Sequence, residues 1–156
     1  MSNSDESKLT KRLAPVAKCD CGMALASELL LEKWTMLIIR EAFYGVKRFD
    51  DIREDIGIPR SVLTARLKHL VEHQILEKKQ YQVEGARARP GYVLTAKGRE
   101  LSLTIFALMQ WGDKHLKDGQ PAIALNHRDT GVPLKVALVE ANTDDVTLAE
   151  IDLTVL

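Results

Sequence analysis

The sequence is poor in cysteine and contains no long hydrophobic segment. Its only two cysteines are Cys19 and Cys21, and its four histidines are scattered along the 156 residues. A structural zinc site needs about four ligands at characteristic spacings, so we predict no metal site and no cofactor. No apolar run approaches the roughly 20 residues of a membrane-spanning helix, and the polar start lacks the hydrophobic part of a signal peptide. We therefore expect a cytoplasmic protein without membrane association.

The sequence also lacks the residue patterns of common enzyme sites. It contains no pairing of a nucleophile with a base, no glycine-rich phosphate loop and no paired carboxylates in a plausible pocket. The adjacent pairs Asp50–Asp51 and Asp144–Asp145 are more typical of solvated turns and helix starts. We predict that the protein is not an enzyme.

The net charge of zero conceals an uneven distribution of charge along the chain. Residues 1–117 contain 20 Lys and Arg against 15 Asp and Glu, whereas residues 118–156 contain 2 against 7. The most basic stretch is 56–99, with nine cationic residues against three acidic ones. Local charge rather than net charge attracts a polyanion. The stretch 56–99 is therefore the candidate surface for nucleic acid.

Within this basic stretch, residues 58–73 have the pattern of an amphipathic helix. Pro59 suits the first turn of a helix. The apolar stripe at positions i, i+4, i+7 and i+8 consists of Leu63, Leu67, Leu70 and Val71. The opposite face carries Ser61, Ala65, Lys68 and Glu72, with Thr64 and Arg66 on its flanks. A helix with a small, cationic outer face is typical of one that enters the DNA major groove, although ordinary surface helices share this pattern.

The sequence before this stretch predicts a helix-turn-helix. Residues 23–43 form two predicted helices with a break near 31–33, and residues 50–56 form a short third helix that Gly57 ends. A turn of three or four residues containing glycine joins this third helix to the helix at 59–73. That is the helix-turn-helix arrangement.

A β-hairpin and a long helix follow. The strands at 78–83 and 92–94 are predicted to flank a basic, glycine-containing turn that carries Arg87 and Arg89. Thr95 is a good N-cap for a helix over 96–117, whose apolar stripe includes Leu101, Ile105, Leu108 and Trp111. About 20 helical residues span roughly 30 Å, more than a small winged domain needs. We therefore expect these four side chains to form a homodimer interface.

The predicted fold class is mainly α with a small β-hairpin wing, a winged helix-turn-helix of the α+β class, followed by a β-rich extension. We divide the chain into a flexible N-terminal arm at 1–18, a winged-helix domain for DNA binding and dimerisation at 19–117, and an acidic extension at 118–156. In the extension the apolar period changes to two, which predicts short strands at 123–125, 134–139, 146–148 and 151–156. Such strands cannot bury a core alone, so they must pack on the main domain or on a partner chain.

Together, these residues resemble the HxlR-type branch of the MarR-like winged-helix transcription regulators over about residues 20–117. The matching residues are Cys21, Lys33-Trp34-Thr35, Arg48-Phe49, Leu63-Thr64-x-Arg66-Leu67, Ile75-Leu76-Glu77, Tyr81, Tyr92-x-Leu94-Thr95, Gly98-Arg99 and Trp111-Gly112. The order and spacing of the whole set are specific, although no single motif is.

The resemblance implies a homodimeric regulator that binds pseudo-palindromic, double-stranded DNA. The recognition helix 59–73 would enter the major groove, and the wing 82–91 would contact the backbone or the minor groove. Carried over onto this sequence, the DNA-binding residues would be Arg48, Arg60, Ser61, Thr64, Ala65, Arg66, Lys68, Arg87 and Arg89. Ala65 departs from the family, because many members have Gln or Asp there. The stretch 126–131 resembles a remnant of a Cys-containing tail found in relatives.

Three hypotheses about regulation and function stay open at this point. Cys21 matches the position at which some members of the family sense oxidants or electrophiles, but a cysteine near a helix start is also often a small, half-buried apolar residue. A small-molecule effector could bind where Trp34, Phe43 and Trp111 line a dimer-interface pocket, although these aromatics also fit a plain core. The alternative function is a winged-helix module for protein interaction through its C-terminal extension.

Overall fold

The computed structural model of the protein describes residues 17–81, 89–139 and 151–155, the last of these by its backbone alone. Three predicted features fall wholly or mostly outside these residues: the arm at 1–18, the wing tip with Arg87, and the strand at 146–148. Within the described part of the chain, no helix is both long enough and apolar enough to cross a membrane.

The described residues form six α-helices, a short 3₁₀ turn and two antiparallel pairs of strands. The helices are α1 (Gly22–Leu30), α2 (Lys33–Phe43), α3 (Phe49–Ile56), α4 (Arg60–Glu72), α5 (Ala96–Arg99) and α6 (Ser102–Leu116), and the 3₁₀ turn is Lys18–Asp20. The strands are β1 (Leu76–Tyr81), β2 (Arg89–Leu94), β3 (Ile123–His127) and β4 (Ile151–Val155). This order confirms the predicted fold class, a winged helix-turn-helix with a β-rich extension.

Local sequence signals set the helix-turn-helix. Glu32 caps α2, because its carboxylate accepts a hydrogen bond from the backbone N–H of Thr35 at 3.0 Å. Gly57 ends α3 with φ of 66°, a left-handed conformation that glycine adopts without steric cost. Pro59 then precedes the first turn of α4, where its fixed φ suits the start of a helix. A three-residue turn thus separates α3 from α4.

The core of the winged-helix domain forms around α4. The side chains of Leu63, Leu67 and Leu70 are fully buried and belong to one cluster with Ile38 of α2 and Ile52 of α3. Burying one leucine side chain contributes roughly 1.5–3 kcal/mol. The spacing of the three leucines places them on one side of α4, so the opposite side is left to solvent.

A backbone hydrogen bond joins the hairpin of β1 and β2 to the helix-turn-helix. Its register pairs Leu76 with Leu94 and Tyr81 with Arg89. Beside β2, the backbone oxygen of Lys47 accepts a hydrogen bond from the N–H of Tyr92 at 2.9 Å, which joins the α2–α3 loop to β2. The hairpin base is therefore fixed to the helix-turn-helix.

The predicted single helix over 96–117 is wrong in one respect, because residues 100 and 101 separate α5 from α6. The N–H of Leu101 donates to the oxygen of Gly98, three residues back, at 3.2 Å, which tightens the turn. The Thr95 hydroxyl caps α5 by accepting from the Gly98 N–H at 3.0 Å. A Cβ at position 98 would lie 2.2 Å from the oxygen of Ile75. The short helix α5 therefore packs directly on the backbone of Ile75, a core residue between α4 and β1.

The C-terminal extension packs on α6 through a side-chain clamp. The amide of Gln110 donates to the Val136 oxygen and accepts from the Val136 N–H, both at 3.0 Å. The N–H of Leu134 donates to the oxygen of Leu125 in β3 at 2.7 Å, and Leu125 and Val136 pack against the core cluster. Residues 134–139 were predicted to form a strand, but they form no regular strand. The backbone of Val136 bonds to the Gln110 side chain and, among the described residues, to no neighbouring β-strand.

Candidate nucleic-acid interface

The outer face of α4 is small, polar and exposed. Ser61, Thr64, Ala65 and Lys68 all lie on the side opposite the buried leucines. The Lys68 ammonium is 3.7 Å from Glu72 in an exposed pair, and pairs of this kind contribute little to stability. The Thr64 hydroxyl donates to the backbone oxygen of Arg60 at 2.9 Å, which leaves its own oxygen able to accept. This face can therefore offer a cation, two hydroxyls and a methyl group to an incoming ligand.

Arg60 stands at the start of α4, where α3 orients it. Its guanidinium carbon lies 5.2 Å from the ring centroid of Phe49, and Nη1 lies 4.0 Å from the Asp50 carboxylate. The side chain remains 71% exposed. Stacking on a ring restrains an arginine without neutralising it, so Arg60 keeps its charge at the edge of the outer face.

Arg66 lies on the flank of α4 and is directed at its own chain. Its Nε is 3.2 Å from the Glu32 carboxylate, which also accepts hydrogen bonds from the N–H and the hydroxyl of the buried Thr35. The Nε–H is not aligned for a hydrogen bond, so the contact is an ion pair only. Sequence reasoning placed Arg66 with the DNA-binding residues, whereas the structure shows it linking α4 to α2. Glu32 was missed because glutamate is not among the preferred N-cap residues, so the sequence carries no usual capping signal at this position.

Two further predicted arginines lie beside the hairpin. Arg48 occupies the N-cap position of α3 without a side-chain capping hydrogen bond, is about half exposed and lies 3.7 Å from Asp51. It lines an open cleft of about 490 Å³ with Tyr81 of β1, and Tyr81 pairs in register with the exposed Arg89. Arg48 and Arg89 therefore belong to the same side of the molecule, beside the wing. The remaining predicted wing residue, Arg87, lies outside the described residues.

Both cysteines are free thiols near the start of α1. Cys19 is exposed, and Cys21 is half buried at the N-cap position of this helix. The N-terminal end of a helix favours negative charge, including that of a thiolate. In the described ranges, no group of three or more His, Cys, Asp or Glu could hold a metal ion.

The predicted dimer face needs one correction. Ile105 is only 6% exposed and belongs to the core of its own chain together with Phe106. Leu108 and Trp111 are exposed, and so are Leu103 and Leu116 on the same helix. In the single chain, Ile105 is therefore turned into the core, and these four large apolar side chains of α6 are exposed.

The three aromatics proposed to line an effector pocket lie in different surroundings. Trp34 and Phe43 pack against the core, and the rings of Phe43 and Phe106 have centroids 6.4 Å apart. Trp111 is exposed beside His115, at a ring distance of 5.1 Å. Within one chain, Trp34 and Phe43 are therefore part of the aromatic core, whereas Trp111 is exposed.

Comparisons with known proteins agree with this arrangement. A family model described as HxlR-like helix-turn-helix matches residues 29–120. An uncharacterised HTH-type transcriptional regulator of Mycobacterium tuberculosis is 44% identical over 107 residues, a match that covers 68% of this chain and 66% of that relative. The relatives are named as transcriptional regulators rather than enzymes, in line with the sequence analysis.

Solved structures share the architecture. The crystal structure of PA1607, named as a transcription factor, superposes with a TM-score of 0.68 at 28% identity and covers 83% of this chain and 91% of that one. The reduced form of the transcriptional regulator YodB from Bacillus subtilis gives a TM-score of 0.52 at 30% identity, covering 64% of this chain and 98% of that one. On the family match and the shared fold, the chain belongs to the HxlR-like helix-turn-helix family.

Proposed function

We propose that the protein is a transcription regulator that binds double-stranded DNA as a homodimer and inserts α4 into the major groove. The observation that carries this proposal is the outer face of α4, which stays exposed because three buried leucines fix the opposite side. The major groove of B-DNA is wide enough for one α-helix, and small or cationic side chains can reach the base edges there. The names of the relatives support the same activity.

The chemistry of the outer face assigns different roles to its residues. Arg60 and Lys68 supply charge for phosphates or for guanine edges. Ser61 and Thr64 supply hydroxyls, and Ala65 supplies a methyl group that suits thymine. Arg66 acts as a positioning residue through Glu32. Arg48 and Arg89, with Arg87 of the wing, would contact the backbone or the adjacent minor groove.

The exposed apolar side chains of α6 support the proposed dimer. A helix-turn-helix monomer reads a short site, and dimers read two half-sites about 34–36 Å apart. Leu108 and Trp111 are the proposed centre of the interface, because clusters of exposed large apolar side chains mark association surfaces. Leu101 lies half buried just before α6 and would form one edge of the proposed dimer interface.

The test is a titration of the full chain with its own upstream duplex and with a random duplex across a salt series. We expect a specificity ratio above about 10³ and a log–log salt slope of several units. Lys68→Ala and Arg60→Ala should each flatten the slope by about two units, because each substitution removes one phosphate contact from each subunit of the dimer and each contact contributes about 0.9. Lys135→Ala, an exposed lysine of the extension, is the matched control and should leave the slope unchanged.

Equal binding to both duplexes, at the nonspecific level of about 10⁻⁴–10⁻⁶ M, would contradict this proposal. It would favour instead a protein-interaction module. In that case deletion of 118–156 should abolish capture of a protein partner while leaving the winged-helix domain folded.

Regulation by oxidation at Cys21 is the second part of the proposal. Its support is the position of the thiol at the start of α1 and the likeness to YodB, whose solved structure is described as the reduced form. Peroxide would oxidise the Cys21 sulfur to a sulfenic acid and be reduced to water, and a second thiol could then displace water from the sulfenic acid to form a disulfide. Peroxide should change the DNA affinity of the wild type and of Cys19→Ser, whereas Cys21→Ser should bind DNA equally with and without peroxide. If peroxide leaves the DNA affinity of the wild type unchanged, regulation by oxidation at Cys21 is contradicted.

A further inference from the structure

A cavity of about 320 Å³ lies between α6 and the C-terminal extension. Its described lining is mostly apolar, with Phe106 and Met109 from α6 facing Leu125 and Leu134 from the extension. This volume falls at the lower end of the roughly 300–1,000 Å³ found for small-molecule sites, which are typically apolar with a few placed polar groups. The cavity lies away from α4 and the hairpin, so DNA binding leaves it unused.

The walls of the cavity are held by hydrogen bonds and not by packing alone. The Gln110 amide donates one N–H to the Val136 oxygen and accepts from the Val136 N–H, and the N–H of Leu134 donates to the oxygen of Leu125. Both segments that face α6 are thereby fixed. A cavity with fixed walls avoids part of the ordering cost that a ligand otherwise pays.

One acidic group at the cavity has an incomplete set of partners. The Asp113 carboxylate is only 24% exposed, and Oδ1 is 3.9 Å from the Nζ of Lys117, too far for a hydrogen bond. Among the described residues, no side chain or backbone group donates a hydrogen bond to this carboxylate. A partly desolvated carboxylate gains most from a donor that carries a positive charge. Lys114 also lines the cavity, but it is exposed and can remain in solvent.

From these observations we propose that the cavity binds a small hydrophobic amine as an effector, with its apolar body between α6 and the extension and its ammonium on Asp113. The inner side of α6 forms this site, and the outer side carries the proposed dimer face. A ligand at the inner side would thus act on the helix that sets the spacing of the two recognition helices. The effector role depends on the proposed function, whereas the binding step does not.

The binding test uses three probes with the same aromatic body and different charge. Calorimetric titration of the full chain without DNA should show that 2-phenylethylamine binds at least about tenfold more tightly than 2-phenylethanol or phenylacetate, a difference of about 1.4 kcal/mol. Asp113→Asn should remove this preference. Asp129→Asn, at an exposed acidic residue in the turn of the same extension, should retain it.

Lys117→Ala provides an independent check in the opposite direction. This variant removes the one cation paired with Asp113 among the described residues, so the amine should bind more tightly than it does to the wild type. Equal affinity for the three probes, or a preference that survives in Asp113→Asn, would overturn the proposal. A preference for phenylacetate would overturn it as well, and would point to Lys114.

The effector role is tested in a separate experiment that measures the affinity for DNA. Saturating amine should change the affinity of the wild type for its upstream duplex and leave that of Asp113→Asn unchanged. An unchanged wild-type affinity would overturn the effector role. Absence of specific DNA binding in the amine-free protein would contradict the proposed function itself, while the titration without DNA would still decide whether the cavity binds the amine.

Discussion

The helices α4 and α6 both bury apolar side chains in the core, but they expose different kinds of residue. Three leucines of α4 are fully buried, and its outer face is small and cationic. On α6, Ile105 and Phe106 are buried, while large apolar side chains such as Leu108 and Trp111 are exposed. The first helix satisfies its apolar stripe within the chain and keeps a polar face for a polyanion. The second leaves apolar area uncovered, which favours a partner that covers it.

The largest expected effect comes from the buried side of α4. Leu67→Ala should lower the free energy of unfolding by about 2–5 kcal/mol, because it leaves a cavity in a core that cannot fully collapse. Urea denaturation measures this change. Leu138→Ala, at a fully exposed leucine of the extension, should change the same quantity by about 0.5 kcal/mol or less. Similar losses in the two variants would remove the distinction between buried and exposed leucines.

The second effect concerns association through α6. Trp111→Ala should weaken the dimer by about 2 kcal/mol or more, as expected for a central aromatic side chain of an interface. Sedimentation equilibrium of the wild type and the variant gives the two dissociation constants. Trp34→Ala is unsuitable as a control because Trp34 packs on the core, so Leu138→Asp serves instead. A monomeric wild type would show that the exposed side of α6 has another use.

The third effect is the polar link that positions α4. A double-mutant cycle of Glu32→Gln and Arg66→Gln should give a coupling of at most about 1 kcal/mol, since both side chains are more than a third exposed and water screens the pair. Gln at position 32 can still accept from Thr35, so the cap is retained. The exposed pair Lys68–Glu72 is the comparison and should couple by only about 0.3–0.5 kcal/mol. A coupling of zero would show that the ion pair does not help to position α4 and that the buried leucines alone do so.

The smallest effect is a titration beside α6. Burial raises the pKa of the Tyr44 phenol above its ordinary value of 10.0, the charge of Arg40 opposes this shift, and the carboxylates of Glu41 and Asp113 add to it. The folded state therefore binds more protons than the unfolded state above about pH 10, and stability falls as pH rises from there through the folded-state pKa. In an ultraviolet titration, Tyr44→Phe should lose part of the absorbance change at the high-pH end of the wild-type curve. The stability of Tyr44→Phe should decline less over that range, and an identical decline would contradict the shift.

Much of the fold followed from local signals in the sequence. Gly57, Pro59 and the leucine spacing predicted the helix-turn-helix, because each of these acts through backbone geometry or a helical period that is visible in the chain. The break between α5 and α6 was not predictable in this way. It depends on the approach of Gly98 to Ile75, a contact between residues far apart in sequence.

The candidate site was predictable to a similar degree. Ser61, Thr64, Ala65 and Lys68 lie on one face because the helical period alone places them there. The orientation of Arg66 was not evident, since a long side chain on the flank of a helix can turn either way. Its choice depends on Glu32, which belongs to another helix. The cavity beneath the extension could not be inferred either, because it arises where Gln110 holds a segment that has no regular structure of its own.

The contact at Gly98 also has a consequence for how the family can vary. Among sequences under selection, this position should admit no other residue, because even a methyl group would strike the backbone oxygen of Ile75. Gly112 on α6 makes a useful contrast, since no atom of the described residues lies within 4 Å of a Cβ placed there. Conservation of Gly98 would reflect a requirement of the fold of the single chain. Conservation of Gly112 could not be explained by the single chain and would indicate close contact with a second molecule.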